Sequence, residues 1–417
     1  MADMRKITEA NQQAANRMIE TDPYWIDIRP AIEAVSGMED RMILHSGPPI
    51  SYGHMVEFHK RCMRNAALLE GWAKTDAEAD EILSSGEIKL ESALDHNTVG
   101  NGTGIITPSM TVMVTRDGDD IVATLPMEGK FGGGFGGAGQ FSPEIVENLK
   151  YLRNEVFPCV AEMLKKLDGI AIRPILAQGM QMGDENHTRQ DAAGLFLLKE
   201  LTPKILDMGL EEKRMSIVMR YLAETPRVFY PMCMSFSRLV TLKNVGLADS
   251  TVVTAMGGNG VEFGIKIAAM GDQWFTAPAP KLSVAVPFRE YREEDALPWL
   301  GDSCTTECAG LGGMAAAASP IVANLQGRSN KEAIEQTRAM ERICAAKNPH
   351  FQIPALDNNC LPVGIDICKV LETGILPVLH GGNFHRDGSV IGNGISTIPM
   401  ECFEKAMEAF ERCGHDT

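Results

Sequence analysis

Residues 178–191 read Gln-Gly-Met-Gln-Met-Gly-Asp-Glu-Asn-His-Thr-Arg-Gln-Asp, which places Asp184, Glu185, His187, Arg189 and Asp191 within one short segment. These types supply a carboxylate–imidazole pair for proton transfer and a guanidinium for an anion. Apolar stretches flank the segment at 170–180 and 192–206. Polar groups at the junction of two buried elements must be hydrogen-bonded, ion-paired, metal-bound or turned to a cleft. A solvated loop, with Asp191 as N-cap of the next helix, satisfies the same pattern.

Four other stretches carry comparable chemistry. Residues 127–139 read Met-Glu-Gly-Lys-Phe-Gly-Gly-Gly-Phe-Gly-Gly-Ala-Gly, too glycine-dense for an ordinary helix or strand. Successive N–H groups there, Gly133 and Gly134 included, can meet an anion, with Lys130 adding charge. The loop lacks the Gly-Lys-Ser/Thr of a P-loop and the helix-opening GxGxxG of a dinucleotide site. A lid or a flexible linker is the competing reading. The corner Gly257-Gly-Asn259-Gly, followed by Glu262 and Lys266, is either a ligand edge or a plain hairpin. Asp302, Ser303, Thr305, Thr306 and Glu307 precede a Gly/Ala-rich helix, where hydroxyls either bind an anion or cap the helix. His380 and His385 flank two glycines at a spacing that fits no helical zinc pair, so either one is an acid/base or donor candidate.

The elements that must position these residues follow a mixed α/β order. Helices are expected at 4–20, 52–72 and 75–84. A strand is expected at 41–45, and a hairpin joins 110–115 to 121–125. Ser142 and Pro143 open a mainly helical stretch running to Val245. Strand character returns at 251–256 and 261–267. A helix at 330–347, an extended segment at 348–354, a strand from Leu379, a glycine-rich turn at 388–396 and a last helix at 399–413 complete the chain. This divides it into an N-terminal α/β region (1–127), a mainly helical region with the Gly-rich loop (128–249) and a Gly-rich α/β region (250–417).

Composition narrows the function classes. The chain has 417 residues, 44% of them hydrophobic, and a formal net charge of −16. Without a Lys/Arg cluster, that charge argues against nucleic acid as a partner. The ten cysteines form no CxxC pair, so no zinc ribbon or iron–sulfur framework is supported. The charged start is not a signal peptide. The longest apolar run, near 314–325, is broken by Ser319-Pro320 and Asn324 and is too short for a bilayer. A cytoplasmic place with reduced thiols is the expectation.

Several ordered stretches together carry a family likeness. They are Leu44-His-Ser-Gly-Pro-Pro-Ile, Glu70-Gly-Trp-Ala, Met182-Gly-Asp-Glu-Asn-His-Thr-Arg, Thr254-Ala-Met-Gly-Gly-Asn-Gly-Val-Glu-Phe-Gly-Ile, Gln273-Trp-Phe-Thr-Ala-Pro, Gly301-Asp-Ser-Cys-Thr-Thr-Glu and Gly310-Leu-Gly-Gly-Met-Ala. On these the chain resembles the YlbE/AllG-like family, one branch of which is a subunit of oxamate carbamoyltransferase. The likeness runs from about residue 11 to about 403. It is that of a divergent paralogue: Gly258-Asn-Gly stands where the family commonly shows Arg-Asn-Gly, Gln190 where it shows Asn, and His380-Gly-Gly-Asn-Phe-His where a Thr-Gly corner is usual. The loop at 127–134 is also denser in glycine.

The resemblance implies carbamoyl transfer between phosphate and the amide nitrogen of oxamate. In purine and allantoin breakdown it runs from oxalurate and phosphate toward oxamate and carbamoyl phosphate. It implies no cofactor, companion subunits resembling acyl-CoA synthetase chains, and a homo- or hetero-oligomer. His187 or His380 would be the base, oriented by Asp184 or Glu185. Lys130, Gly133, Gly134 and Arg189 would hold anions, with Asn259, Glu262, Asp302, Ser303, Thr306 and Glu307 around the substrate. The Asn259 corner, the Asp302 turn and the Lys130 loop should then meet residues 178–191 in space. Two alternatives stand beside this reading. One is a metal-assisted amidohydrolase using Asp184, Glu185, His187, His380 and His385; the other is a non-catalytic partner subunit.

Overall fold

The structure, a computed structural model, describes residues 4–413. Local signals set several helix starts, the one at Ser142 as expected. Ser142 accepts the N–H of Ile145 and Thr75 that of Glu78, capping helices Pro143–Tyr151 and Asp76–Ser84. Ser329 and Glu332 form a reciprocal capping box at helix Asn330–Glu341. Each cap satisfies N–H groups that the first turn leaves without partners and is worth about 1 kcal/mol.

The fold is mixed α/β, with a strand-containing N-terminal region, a helical middle and a Gly-rich α/β C-terminal region. One sheet has five strands in the order Thr98–Val99, Asp120–Thr124, Thr111–Asp117, Tyr24–Pro30, Ile170–Ala171. The hairpin expected around the Asp/Gly turn forms its centre. A four-stranded antiparallel sheet orders Phe275–Pro278, Glu262–Ile267, Val253–Asn259 and Leu300–Gly301. Three strand pairs complete the β structure: Met42–His45 with Lys89–Ser92, Cys344–Ile353 with Asn359–Ile365, and Val378–Phe384 with Val390–Thr397.

Two local expectations give way to pairing. The helix expected to reach residue 347 ends at Glu341, and residues from Cys344 onward join strand Asn359–Ile365. Cross-strand partners override the helix preference of Ala345, Ala346 and Lys347. The glycine-rich turn expected at 388–396 is largely strand Val390–Thr397. Its glycines serve close approach: a Cβ on Gly394 would stand 2.8 Å from Leu282 Cβ, and one on Gly392 2.7 Å from Val284 Cγ1.

Helix Tyr230–Leu242 is the beam between the two sheets. Residues 230–241 are all buried, as expected of a helix surrounded by packed elements. Its buried Arg238 reaches both sides, donating to Thr254 O at 3.0 Å and to Asn97 Oδ1 at 3.0 Å. Its first residue, Tyr230, lies at the cleft described below. The turn after strand Met42–His45 joins the halves from the other side, where Gly47 N donates to Asp302 Oδ1 at 2.7 Å and Asn259 Nδ2 to Pro48 O at 3.0 Å.

Gly47 permits that junction. Its φ is +78°, and a Cβ would stand 2.4 Å from Asn259 N and from Gly258 C, both backbone atoms. Gly71, with φ +71°, would meet nothing within 4 Å. Gly71→Ala should therefore cost about 1 kcal/mol, from strain alone, and Gly47→Ala roughly 3 kcal/mol or more. Urea unfolding of the two variants checks this; equal costs would count against the junction.

Candidate active site

The polar segment first noted folds around its own carboxylate. Glu185 is fully buried and accepts the backbone N–H groups of His187 at 2.6 Å, Thr188 at 2.5 Å and Arg189 at 3.2 Å. Burial opposes its ionisation, but His380 and His187 beside it hold its carboxyl below the ordinary value. Asp184 takes the N–H of Ala193 at 2.8 Å and lies 3.3 Å from Arg189 Nη1, while burial pushes its own carboxyl up. Helix Asp191–Asp207 begins after Gln190, whose own side chain does not cap it; the Asp184 carboxylate takes that part. Asp191 pairs with Arg189 at 3.2 Å instead of capping.

With its backbone held, the loop presents His187. The ring Nδ1 lies 2.8 and 2.9 Å from the two oxygens of buried Glu307. Glu307 also accepts Thr306 Oγ1 at 2.8 Å, Gly313 N at 2.9 Å and His380 N at 3.1 Å. In this acceptor-only setting the Nδ1 proton points at Glu307, leaving Nε2 as the free end of the ring. Among the described residues Nε2 has no hydrogen-bond partner, and His187 lines an open cleft. The ring lies nearly parallel to Tyr230, 6.3 Å between centroids and 18° apart. Gly312 makes this contact possible, since a Cβ there would stand 2.2 Å from Glu307 Oε1 and 2.8 Å from His187 Cβ.

The Gly-rich loop forms the facing wall. Buried Glu128 ties it down by accepting Phe135 N at 2.7 Å and Gly136 N at 2.8 Å. Gly136 O and Gly137 O are taken by Ile105 N and Thr103 N. Gly133 and Gly134 donate no N–H to any described residue, yet both line the cleft. Two consecutive free amides are the kind of donors from which an anion-binding concavity is built.

The cleft holds about 300 Å³, a size suited to a small molecule. Asn101, Gly102, Gly133, Gly134, His187, Thr188, Arg227, Tyr230, Trp299, Ser303, Gly381, Gly382 and Asn393 are among its walls. The structure thus brings Gly133, Gly134, His187 and Ser303 into one site, as the sequence suggested. Glu307, Thr306, Glu185 and Asp184 sit behind the wall as supports. His380 is buried with Nδ1 3.8 Å from Glu185 Oε1, and among the described residues neither ring nitrogen has a hydrogen-bond partner.

Other expected site residues have structural work. Lys130 is exposed and pairs with Glu144 at 2.9 Å, away from the cleft. Arg189 is tied to Asp184, Asp191 and Gly183 O. Asn259 caps its own turn through the N–H groups of Val261 and Glu262. Glu262 accepts from Thr276 Oγ1 at 3.0 Å. Buried Asp302 accepts from Gly47 and has its carboxyl pushed well up by burial. His385 pairs with Asp387 at 2.9 Å. The ligands named for the amidohydrolase reading are not arranged as a metal site: among the described residues, no group of three or more His, Cys, Asp or Glu could hold a metal ion.

Sequence reasoning missed Arg227, Tyr230, Glu128 and Asn101. Tyr230 was hidden because Tyr230-Pro-Met-Cys-Met-Ser-Phe reads as core, and residues 230–236 are indeed buried. Arg227 followed an ordinary-looking Thr225-Pro226 turn. Its φ of +55° is the sign of a special position, and that appears only in three dimensions.

Comparison with known proteins gives concordant matches. Residues 88–303 match the family described as "Oxamate carbamoyltransferase subunit AllG". The chain is 36% identical over 415 residues to the uncharacterized protein YahG of Escherichia coli strain K12, covering 96% of this chain and 85% of that protein. It is 31% identical over 414 residues to the oxamate carbamoyltransferase subunit AllG of the same organism, covering 97% of each. A crystal structure of a conserved protein of unknown function from Enterococcus faecalis V583 superposes with a TM-score of 0.91 at 32% identity, covering 98% of each chain.

Glu128 makes the glycine loop sensitive to pH. Burial pushes its carboxyl up to about 7 from an ordinary 4.5, against the pull of its two amide donors. The unfolded chain releases this proton near 4.5, while the folded chain keeps it to about 7. The folded state binds the extra proton in that window, so stability falls as pH rises through it, and the full cost is present above it. Glu128→Gln removes this titration. Between about pH 5 and about pH 8 the wild type should lose up to ~3 kcal/mol more than the variant. Urea unfolding at both pH values reads the difference, and parallel losses would refute it.

Proposed function

The chain belongs to the oxamate carbamoyltransferase subunit AllG family, and on that premise we propose that it is a carbamoyltransferase-type subunit whose own cleft carries the chemistry. It moves a carbamoyl group between phosphate and the nitrogen of an oxamate-like amide or ureido compound. Companion subunits, of the kind resembling acyl-CoA synthetase chains, complete the enzyme in the cytoplasm. The observation behind this reading is the Glu307-held His187, with Nε2 free, opposite the unpaired amides of Gly133 and Gly134.

Carbamoyl transfer asks for what those groups offer. Toward carbamoyl phosphate, a phosphate oxygen attacks the ureido carbonyl carbon, the C–N bond breaks, and the departing nitrogen takes a proton. In the other direction the nitrogen attacks, the C–O bond to phosphate breaks, and the nitrogen loses that proton. His187 Nε2 gives or receives it, with Glu307 steadying the ring. The Gly133 and Gly134 amides and the Ser303 hydroxyl meet negative charge on phosphate or on the carbonyl oxygen as it develops. Asp184, Glu185 and Thr306 hold the wall in place, and His380 backs Glu185.

The assembled enzyme should cleave an N-carbamoyl substrate only when phosphate is present. His187→Ala should lower kcat by about 10²–10⁴-fold, with Glu307→Gln also lowering it. Assays of product formation with and without phosphate test the reaction; equal rates without phosphate would exclude it. Full turnover by the His187 and Glu307 variants would instead make this chain a non-catalytic partner.

A further inference from the structure

The chain carries a formal charge of −16 and 55 acidic residues, yet no Asp or Glu side chain lines the cleft among the described residues. The carboxylates nearest to it face away, each engaged with donors in the wall behind. The ionisable lining groups that can carry positive charge are His187 and Arg227. The two other cations expected at the site, Lys130 and Arg189, are both ion-paired to carboxylates.

Arg227 differs from them. Its Nε donates to Gln190 Oε1 at 3.3 Å and its Nη2 to His187 O at 3.0 Å. Its Cζ lies 4.0 Å from the centre of the Tyr230 ring. All three partners are neutral, and among the described residues Arg227 makes no ion pair. Arg227 is an exposed residue, its guanidinium tied along one edge and, among the described residues, neutralised by no carboxylate. The Nε/Nη2 edge is filled, whereas the adjoining Nη1/Nη2 edge keeps two parallel N–H groups that no described residue accepts. That edge matches two oxygens of one oxyanion. The backbone at Arg227, with φ +55°, adopts a conformation that costs a non-glycine residue about 1 kcal/mol or more.

We propose that the Nη1/Nη2 edge of Arg227 is the anion anchor of this cleft, gripping two oxygens of a small carboxylate or phosphate. This rests on the cleft being the substrate site, and it narrows the substrate class to small oxyanions held within reach of His187. Tyr230 contacts both groups, stacking on His187 and lying under Arg227, and the His187 carbonyl accepts from Arg227. The aromatic ring and that hydrogen bond set the distance between the anchored anion and the free Nε2. Tyr230 is thus a positioning residue.

Calorimetric titration of the full chain with oxamate and, separately, with inorganic phosphate tests this at constant ionic strength. Wild type should bind at least one of them, and Arg227→Gln should weaken that binding at least about tenfold. Arg227→Lys keeps the charge without the fork and should fall between. Unchanged melting temperatures of both variants separate lost binding from lost folding. Loss confined to oxamate identifies a carboxylate anchor, and loss confined to phosphate a phosphate anchor. Wild-type affinity in Arg227→Gln, or no binding of either anion by wild type, overturns the proposal. Because binding is read without turnover, an Arg227-dependent anion site in an enzyme lacking phosphate-dependent activity would keep the anchor and remove the carbamoyl-transfer reading.

Discussion

Glu307 is a fully buried carboxylate that draws four donors from four separate places: the His187 ring, the Thr306 hydroxyl, and the amides of Gly313 and His380. Burying such a group without partners would cost several kcal/mol. With them, it becomes the point at which the polar loop, the turn after strand Leu300–Gly301, the Gly/Ala-rich segment and strand Val378–Phe384 must meet. None of these pieces has a reason to lie beside the others on local grounds. The direction of the His187 ring, and so the free Nε2, follows from that one constraint.

The same device recurs around the cleft. Glu185 gathers the amides of the loop that carries His187, and Glu128 gathers those of the glycine loop opposite. Asp184 holds the start of the next helix, and Asp302 holds the Gly47 turn against the C-terminal sheet. Each carboxylate turns its oxygens into the wall and leaves backbone, hydroxyl, imidazole and guanidinium groups on the inner surface. An acidic chain thereby encloses a cleft that, among the described residues, no acidic side chain lines. At Glu185 the donors and the two neighbouring imidazoles outweigh burial, whereas at Glu128, Asp184 and Asp302 burial outweighs the donors and holds the carboxyl up.

How far the sequence could be read varies with the range of the forces involved. The cap at Ser142 and the hairpin around residues 117–120 depend on neighbours within a few residues, and they formed as expected; the caps at Thr75 and Ser329 are just as local. The segment 344–347 depends on a strand that arrives later in the chain, and its helix-forming residues gave no sign of that. Lys130 and Arg189 looked like anion binders because charge is visible in sequence. The carboxylates that neutralise them, Glu144, Asp184 and Asp191, are equally visible, but the pairing geometry is not. Arg227 looked unremarkable because the property that singles it out is the lack of an acidic partner among the described residues.

The sequence by itself determined the α/β order, several helix starts, family membership, and the segments that wall the cleft: the glycine loop, the loop of His187 and the turn of Ser303. Those conclusions rest on residue types and short spacings, which covalent geometry carries into any fold. Only the tertiary structure decided which side chain faces the cleft and which stands behind it. It put His187 forward and Glu185 back, paired His187 with a carboxylate 120 positions away, and left Arg227 uncompensated over Tyr230. The reason is physical: burial and ion pairing are set by distances between segments far apart in the chain, and no local pattern contains those distances.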